Sequence, residues 1–384
     1  MSKTLNDRSS YQVCEVSVLL DCMRFNFQAI APDSLYKSLD QEINWSRLLN
    51  IATEQQVIPM LYQTLKKFEN VPQSVLADLQ KINRFNGIKN ITLTKELLRV
   101  LQVLDHAGIE AIAFKGAALA VSAYGSLTMR QFGDLDILVK HSDFAKAKAI
   151  LAKEGYLSNL PLEVEIDLFE RILQTPLYSK NYTIDLHWGL PPRRNHNPNH
   201  YDFLWQSTGS LTIQDQAIKI LIPELVLVFQ SVNFAGDRED WRLLKPICDL
   251  AQVIKAYPDL DWNLAIYLAG KLRCKKLFVL GLYIAHRVLD ISVPVQISEM
   301  FAQVENLDVS TTIDLYFDDS IKPNRSFIDT CILSLQRRIY PLKTLDKKSN
   351  QFDFLWLVDT LFIIKLLIYS LFVRIWQLIK SDKL

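Results

Sequence analysis

Glycine and cysteine are scarce in this sequence of 384 residues, at 11 and 5. So little glycine rules out a collagen-like chain, and an apolar share of 49% beside 22% charged residues rules out a disordered or coiled-coil one. The cysteines, Cys14, Cys22, Cys248, Cys274 and Cys331, form no C-x-x-C pair. That excludes a disulfide framework or a zinc site and predicts isolated thiols in helical cores. Charge of one sign is lacking as well: 43 Lys and Arg stand against 42 Asp and Glu, a net +1. No global field steers a polyanion, so there is no general nucleic-acid signal. Neither G-x-x-x-x-G-K-S/T nor G-x-G-x-x-G occurs, which excludes a P-loop and a dinucleotide-binding turn. Internal repeats and low-complexity segments are missing too. Lys3, Asp7, Arg8 and Glu15 interrupt the start before any apolar run reaches signal-peptide length, which predicts a cytoplasmic chain without a secretory leader.

What is present is a change of texture. From Tyr11 to about Gly108 apolar residues recur at helical spacing, as in Val16-Leu19-Leu20-Met23 and Leu97-Leu98-Leu101-Leu104, with a turn near Pro59. Ile109 to Phe114 then reads as a short strand ending at Lys115-Gly116, followed by a helix over 117–124 that Gly125 closes. Asp134 to Val139 reads as a second strand, and Ser142 is placed to cap a helix from Asp143 to Glu154. Tyr182 to Trp188 reads as a third strand. Leu211-Thr212-Ile213 and Ala217 to Leu221 flank Gln214-Asp215-Gln216 as a hairpin before Pro223 opens another helical stretch. The predicted class is α+β: a small α/β core with a mixed sheet between helical regions. The expected divisions are 1–107 helical, 108–222 the core, 223–300 helical, 301–352 a linker and 353–384 an apolar helix.

One grouping in the core asks for more than folding. Asp134 and Asp136 lie two apart in a strand, so both side chains leave one face of the sheet about 7 Å apart along the backbone. Paired carboxylates at that spacing suit a hard divalent cation such as Mg²⁺, which keeps room for substrate phosphates. Asp185, between Ile184 and Leu186 in a later strand, completes a carboxylate triad. Gly116 permits close approach at the turn, Ala117 keeps it uncluttered, and Lys115 and Arg130 supply positive charge for phosphate. His187, two residues after Asp185, reads either as a donor supporting the site from behind or as a hydrogen-bonded structural histidine. Arg193, Arg194, His196 and His200 form a loop cluster that could hold a polyanionic acceptor, or simply a solvated loop.

Lys115-Gly116, Arg130, Gly133 to Val139 with its Asp134-Leu135-Asp136, and Asp185-Leu186-His187-Trp188 together resemble the DNA polymerase β-type nucleotidyltransferase superfamily, in its uncharacterised bacterial branch. Trp45 to Pro59, Asp240 to Leu244 and Asp249-Leu250-Ala251 extend the resemblance over much of the chain. The resemblance implies transfer of a nucleoside monophosphate from an NTP to an acceptor of unnamed class: a small molecule, a protein or an RNA. It implies two Mg²⁺ ions, with Mn²⁺ as the substitute, held by Asp134 and Asp136 with Asp185 as the third carboxylate that orients or deprotonates the acceptor hydroxyl. It also places Gly116 under the phosphates. Gly116-Ala117 stands where the superfamily usually has Gly-Ser or Gly-Gly, which keeps open a nucleotide-binding accessory or scaffold protein. A toxin-like tRNA-modifying nucleotidyltransferase is a third reading.

The mean hydropathy of +0.07 has a conspicuous source in Phe354 to Ile379, an apolar run interrupted by Asp359, Lys365 and Arg374. As a helix it would be about 39 Å long, enough to cross a bilayer. Asp359, Ser370, Arg374 and Gln377 fall in one narrow sector with Lys365 opposite, which suits a helix on a membrane surface or packed against protein, including a second copy, better than a lone span. The expected location is therefore cytoplasmic, peripheral to the inner membrane or tail-anchored there.

Overall fold

Turn chemistry sets the first helices. In the structure, a computed structural model describing residues 14–158, 173–190, 198–236 and 243–304, α1 (Cys14–Asn26) leads into α2 (Pro32–Leu39), whose first turn holds Pro32. Asn44 caps α3 (Trp45–Glu54) by accepting the Arg47 N–H at 3.0 Å, and Pro59 sits in the first turn of α4 (Ile58–Leu65). Next comes α5 (Gln73–His106), 34 residues long, which buries Asn90, Leu93, Thr94, Leu97, Leu98, Leu101 and Leu104 at helical spacing. It packs against α4, the sheet and the helices beside it.

A four-stranded mixed sheet follows, in the order β1-β2-β4-β3. Its strands are β1 (Ala111–Ala113), β2 (Leu135–Val139), β3 (Gln174–Tyr178) and β4 (Thr183–His187). β1 runs antiparallel to β2, β2 parallel to β4, and β4 antiparallel to β3. α6 (Gly116–Ser122) links β1 toward β2, and α7 (His141–Lys153) begins the crossover that a parallel pair requires. β2 is buried at all five positions, as a strand covered on both faces must be.

Two local expectations change. α7 starts at His141, directly after Lys140, without a side-chain cap bond, so Ser142 lies inside the helix and does not cap it. Lys140 is the last extended residue and takes the N-cap place, so Ser142 already falls in the first turn. β3 was not expected from the sequence; it is an edge strand, the place in a sheet that tolerates a proline such as Pro176. The hairpin is β5 (Thr208–Ile213) with β6 (Gln216–Leu221); its turn is only Gln214-Asp215, at φ 49° and 65°, the left-handed pair of a tight two-residue loop.

The second helical layer is α8 (Pro223–Gly236), α9 (Leu244–Ala256), α10 (Trp262–Lys271), α11 (Lys275–Leu289) and the single turn α12 (Val295–Ser298). α8 and α11 cross closely at Gly281, where a Cβ would stand 2.6 Å from the Ser231 carbonyl oxygen and 2.8 Å from its Cα. α9 is tied to the sheet layer by a buried ion pair. Arg130 donates from Nε and Nη2 to the two carboxylate oxygens of Asp249, each at 2.8 Å, with 6% and 2% of the side chains exposed. The Tyr124 hydroxyl donates to the same carboxylate at 2.7 Å. Asn90 of α5 donates to the carbonyls of Leu127 and Arg130, so the segment before β2 is held from both sides.

The chain divides into two compact units, 1–345 and 346–384; the second lies outside the described residues, as does the predicted helix over Phe354 to Ile379. Among the described residues no helix is long and apolar enough to cross a membrane. Arg193, Arg194 and His196 and the side chain of His200 are also outside them. Cys14, Cys22, Cys248 and Cys274 are free thiols, the last three buried.

Two substitutions test this packing. Gly281→Ala forces α8 and α11 apart and is expected to cost about 1–3 kcal/mol, read as a lower urea midpoint at an unchanged slope. Asp249→Ala strands the Arg130 charge inside the protein and is expected to cost about 3–5 kcal/mol in the same measurement.

Candidate active site

Parallel pairing of β2 with β4 sets Asp136 opposite Asp185 and Leu138 opposite His187. Residues two apart share a face, so Asp136, Asp185 and His187 project together from two adjacent strands. One ligand atom from each lies within 4.8 Å of the others. Asp136 and His187 are buried and Asp185 is half-buried. The donor set, two carboxylate oxygens and an imidazole nitrogen, suits a divalent cation. Gln174 of β3 donates to Asp185 Oδ2 at 3.4 Å, and the Phe114 ring meets His187 edge-on with centroids 4.9 Å apart.

Asp134, expected to form the triad with Asp136 and Asp185, sits one residue before β2 begins and outside this group of three, half-buried. It still shares the site's field: the Asp136 charge first, and then burial, push its carboxyl above the usual range, against the pull of Lys115, Lys245 and Arg130.

Lys115 and Gly116 form the turn between β1 and α6. Gly116 takes φ +46°, the left-handed region glycine favours, and a Cβ there would lie 3.5 Å from the Asp134 carbonyl oxygen. Ala117 is buried behind it. Lys115 Nζ stands 3.2 Å from Asp136 Oδ1 and 5.1 Å from the centroid of the Phe229 ring. Burial alone would lower the Lys115 pKa, yet Asp136, Asp134 and Asp185 raise it above its ordinary value. Burial likewise pushes the Asp136 carboxyl up, and the Lys115 ammonium and His187 overcome it and hold the group well below the carboxylate range. The site is thus built around Asp136, whose ionised form Lys115 and His187 favour against burial.

Arg130 was expected to meet phosphate; its guanidinium is instead engaged by Asp249 as described, and although burial lowers its pKa, the charge and hydrogen bonds of Asp249 together with Tyr124 and Asp136 raise it. It positions the segment leading to Asp134. The residue that the sequence reading missed is Lys245. It lies one turn before Asp249 on α9, so the bond from Asp249 to Arg130 turns that face toward the site. Lys245 Nζ donates to Gln56 Oε1 at 2.9 Å and lies near enough to lower the Asp134 pKa. The start of α9 is held by Gln55, whose side-chain oxygen accepts the Leu244 N–H at 2.7 Å and whose carbonyl accepts the Lys245 N–H at 3.3 Å. The i, i+4 spacing of Lys245 and Asp249 was the available signal.

No curated protein matches the sequence. The crystal structure of an antigenic nucleotidyltransferase-like protein from Paracoccidioides brasiliensis is similar over 48% of this chain and 93% of that one, at 18% identity and a TM-score of 0.31, too loose a likeness to bear on function. The sequence model of a family described as uncharacterised nucleotidyltransferase matches residues 41–290, a stretch that runs from before α3 through α11 and includes Lys115, Gly116, Asp134, Asp136, Asp185, His187, Lys245 and Asp249. The chain belongs to that uncharacterised nucleotidyltransferase family.

Proposed function

We propose that the protein moves a nucleoside monophosphate from an NTP to an acceptor with the help of a divalent cation, in the manner of the DNA polymerase β-type enzymes its motifs resemble. The in-register pair of Asp136 and Asp185, facing Lys115 across the Gly116 turn, carries this reading. Asp136 and Asp185 would hold the cation, Mg²⁺ in the superfamily, with Asp134 beside them. When bound, the cation offsets charge on the phosphate oxygens. Lys115 and Lys245, one from each layer, balance the triphosphate. Asp185, the more exposed of the strand pair, takes the proton of the acceptor hydroxyl. The acceptor oxygen bonds to the α-phosphorus as the bond from that phosphorus to the pyrophosphate oxygen breaks, and pyrophosphate leaves with its electron pair. The acceptor is a small molecule, protein or RNA carrying a free hydroxyl or equivalent nucleophile.

Incubating the full chain with lysate and each α-³²P-NTP tests this. Wild type is expected to label a lysate component, and Asp136→Asn to lower the labelling by about 100-fold or more. Equal labelling by the variant, or none by wild type with all four nucleotides, overturns the reading. Once the acceptor is known, Lys245→Met is expected to raise KM for the nucleotide about tenfold while kcat stays within about threefold, the mark of lost ground-state binding.

A further inference from the structure

We infer that His187 is itself a ligand of the cation, through Nε2, so that the site is a mixed oxygen and nitrogen set that prefers Mn²⁺ or a later first-row ion to Mg²⁺. This deepens the proposed function: it rests on Asp136 and Asp185 holding a cation, and is independent of which nucleotide or acceptor is used.

Position comes first. His187 shares the Asp185 face of β4 and stands beside Asp136 across the parallel pair, with Nε2 at 3.5 Å from Asp136 Oδ1. Asp134, the carboxylate expected to pair with Asp136, falls outside the group, and His187 falls inside it. The imidazole therefore takes the place in the three-residue set that the resemblance gives to an aspartate. The ring is also fixed: it is 2% exposed, and the Phe114 ring stands against it at 85°. The His187 ring nitrogen converges with the carboxylate oxygens of both Asp136 and Asp185, all within 4.8 Å, as a third ligand must. Asp136 Oδ1 already draws positive charge, since the Lys115 ammonium lies 3.2 Å from it.

Chemistry then decides the ion. Mg²⁺ favours oxygen ligands and gives up water reluctantly. Imidazole suits the transition ions, whose affinities for nitrogen-containing sets rise from Mn²⁺ onward. Replacing one of three carboxylates by imidazole lowers the ligand charge as well, which weakens Mg²⁺ most because its binding is nearly all electrostatic.

The test uses the full chain with Mn²⁺ and no nucleotide, so it does not depend on turnover. Electron spin-echo envelope modulation of bound Mn²⁺ is expected to show a coupled ¹⁴N that becomes ¹⁵N in protein grown with ¹⁵N-histidine. In His187→Gln the nitrogen coupling is expected to disappear while Mn²⁺ still binds, with the Mn²⁺-to-Mg²⁺ affinity ratio from calorimetry falling about tenfold. Bound Mn²⁺ without nitrogen coupling in wild type overturns the His187 assignment and leaves the nucleotidyl-transfer reading standing; coupling that survives in the variant overturns it equally. If no Mn²⁺ binds at all, the His187 assignment falls, and the labelling experiment decides the transfer reading separately. The wild-type and isotope-labelled spectra suffice if the variant does not fold.

Discussion

A carboxylate kept ionised inside the protein is the constraint from which the site follows. Asp136 lies on the central strand of the sheet, buried, where a lone negative charge would be prohibitively costly. It is tolerated because Lys115 and His187 both approach its Oδ1, at 3.2 and 3.5 Å. Each partner needs its own support. Lys115 depends on Gly116, whose left-handed backbone lets the chain turn beside Asp134, and on Phe229, whose ring face receives the ammonium. His187 depends on the register of β4 and on Phe114. Phe114 and Phe229 also meet edge-on, centroids 5.1 Å apart, so an aromatic wall from the end of β1 and from α8 backs both partners of Asp136.

A second buried charge pair does for the layers what the first does for the strands. Arg130 and Asp249 exclude water so thoroughly that their pairing fixes distance and orientation more than it adds stability. Because the bond is bidentate, α9 can neither slide nor rotate on the segment before β2. Lys245 inherits its position from that restraint, and Gln55 secures the helix end from the N-terminal helices. In this way a residue far from any phosphate decides where a cationic side chain sits.

The α+β class, the strands β2 and β4, the existence of the hairpin and the helix opened by Pro223 were legible because each rests on local pattern or turn chemistry. So was the Lys115-Gly116 turn, a glycine directly after a short apolar strand. β3 was hidden by Pro176, which a sequence reading counts against a strand and which only an edge position explains. Asp134 stands at the edge of the group and not within it, because the strand begins at Leu135 and the alternation does not reach one residue further back. The role of Arg130 could not be read at all: its partner is 119 residues away on another layer. His187 lay in view, two residues after Asp185, but its pointing at Asp136 depends on a parallel register that no local signal encodes.

Charge at the site also bears on the order of events. Asp134, Asp136 and Asp185 face Lys115 and Lys245, so carboxylates outnumber ammonium groups, and the excess is felt at Asp134, whose pKa the Asp136 charge raises. An NTP carries several negative charges of its own. Brought in alone, it would meet carboxylates still in excess, and the two lysines would have to leave Asp136 and Gln56 to serve it. On the proposed reading a cation held by Asp136 and Asp185 would relieve that repulsion and leave the Lys115 ammonium available to phosphate. The ion pair between Lys115 and Asp136 thus keeps the buried charge compensated, and on the proposed reading its two members would serve the cation and the phosphate in turn.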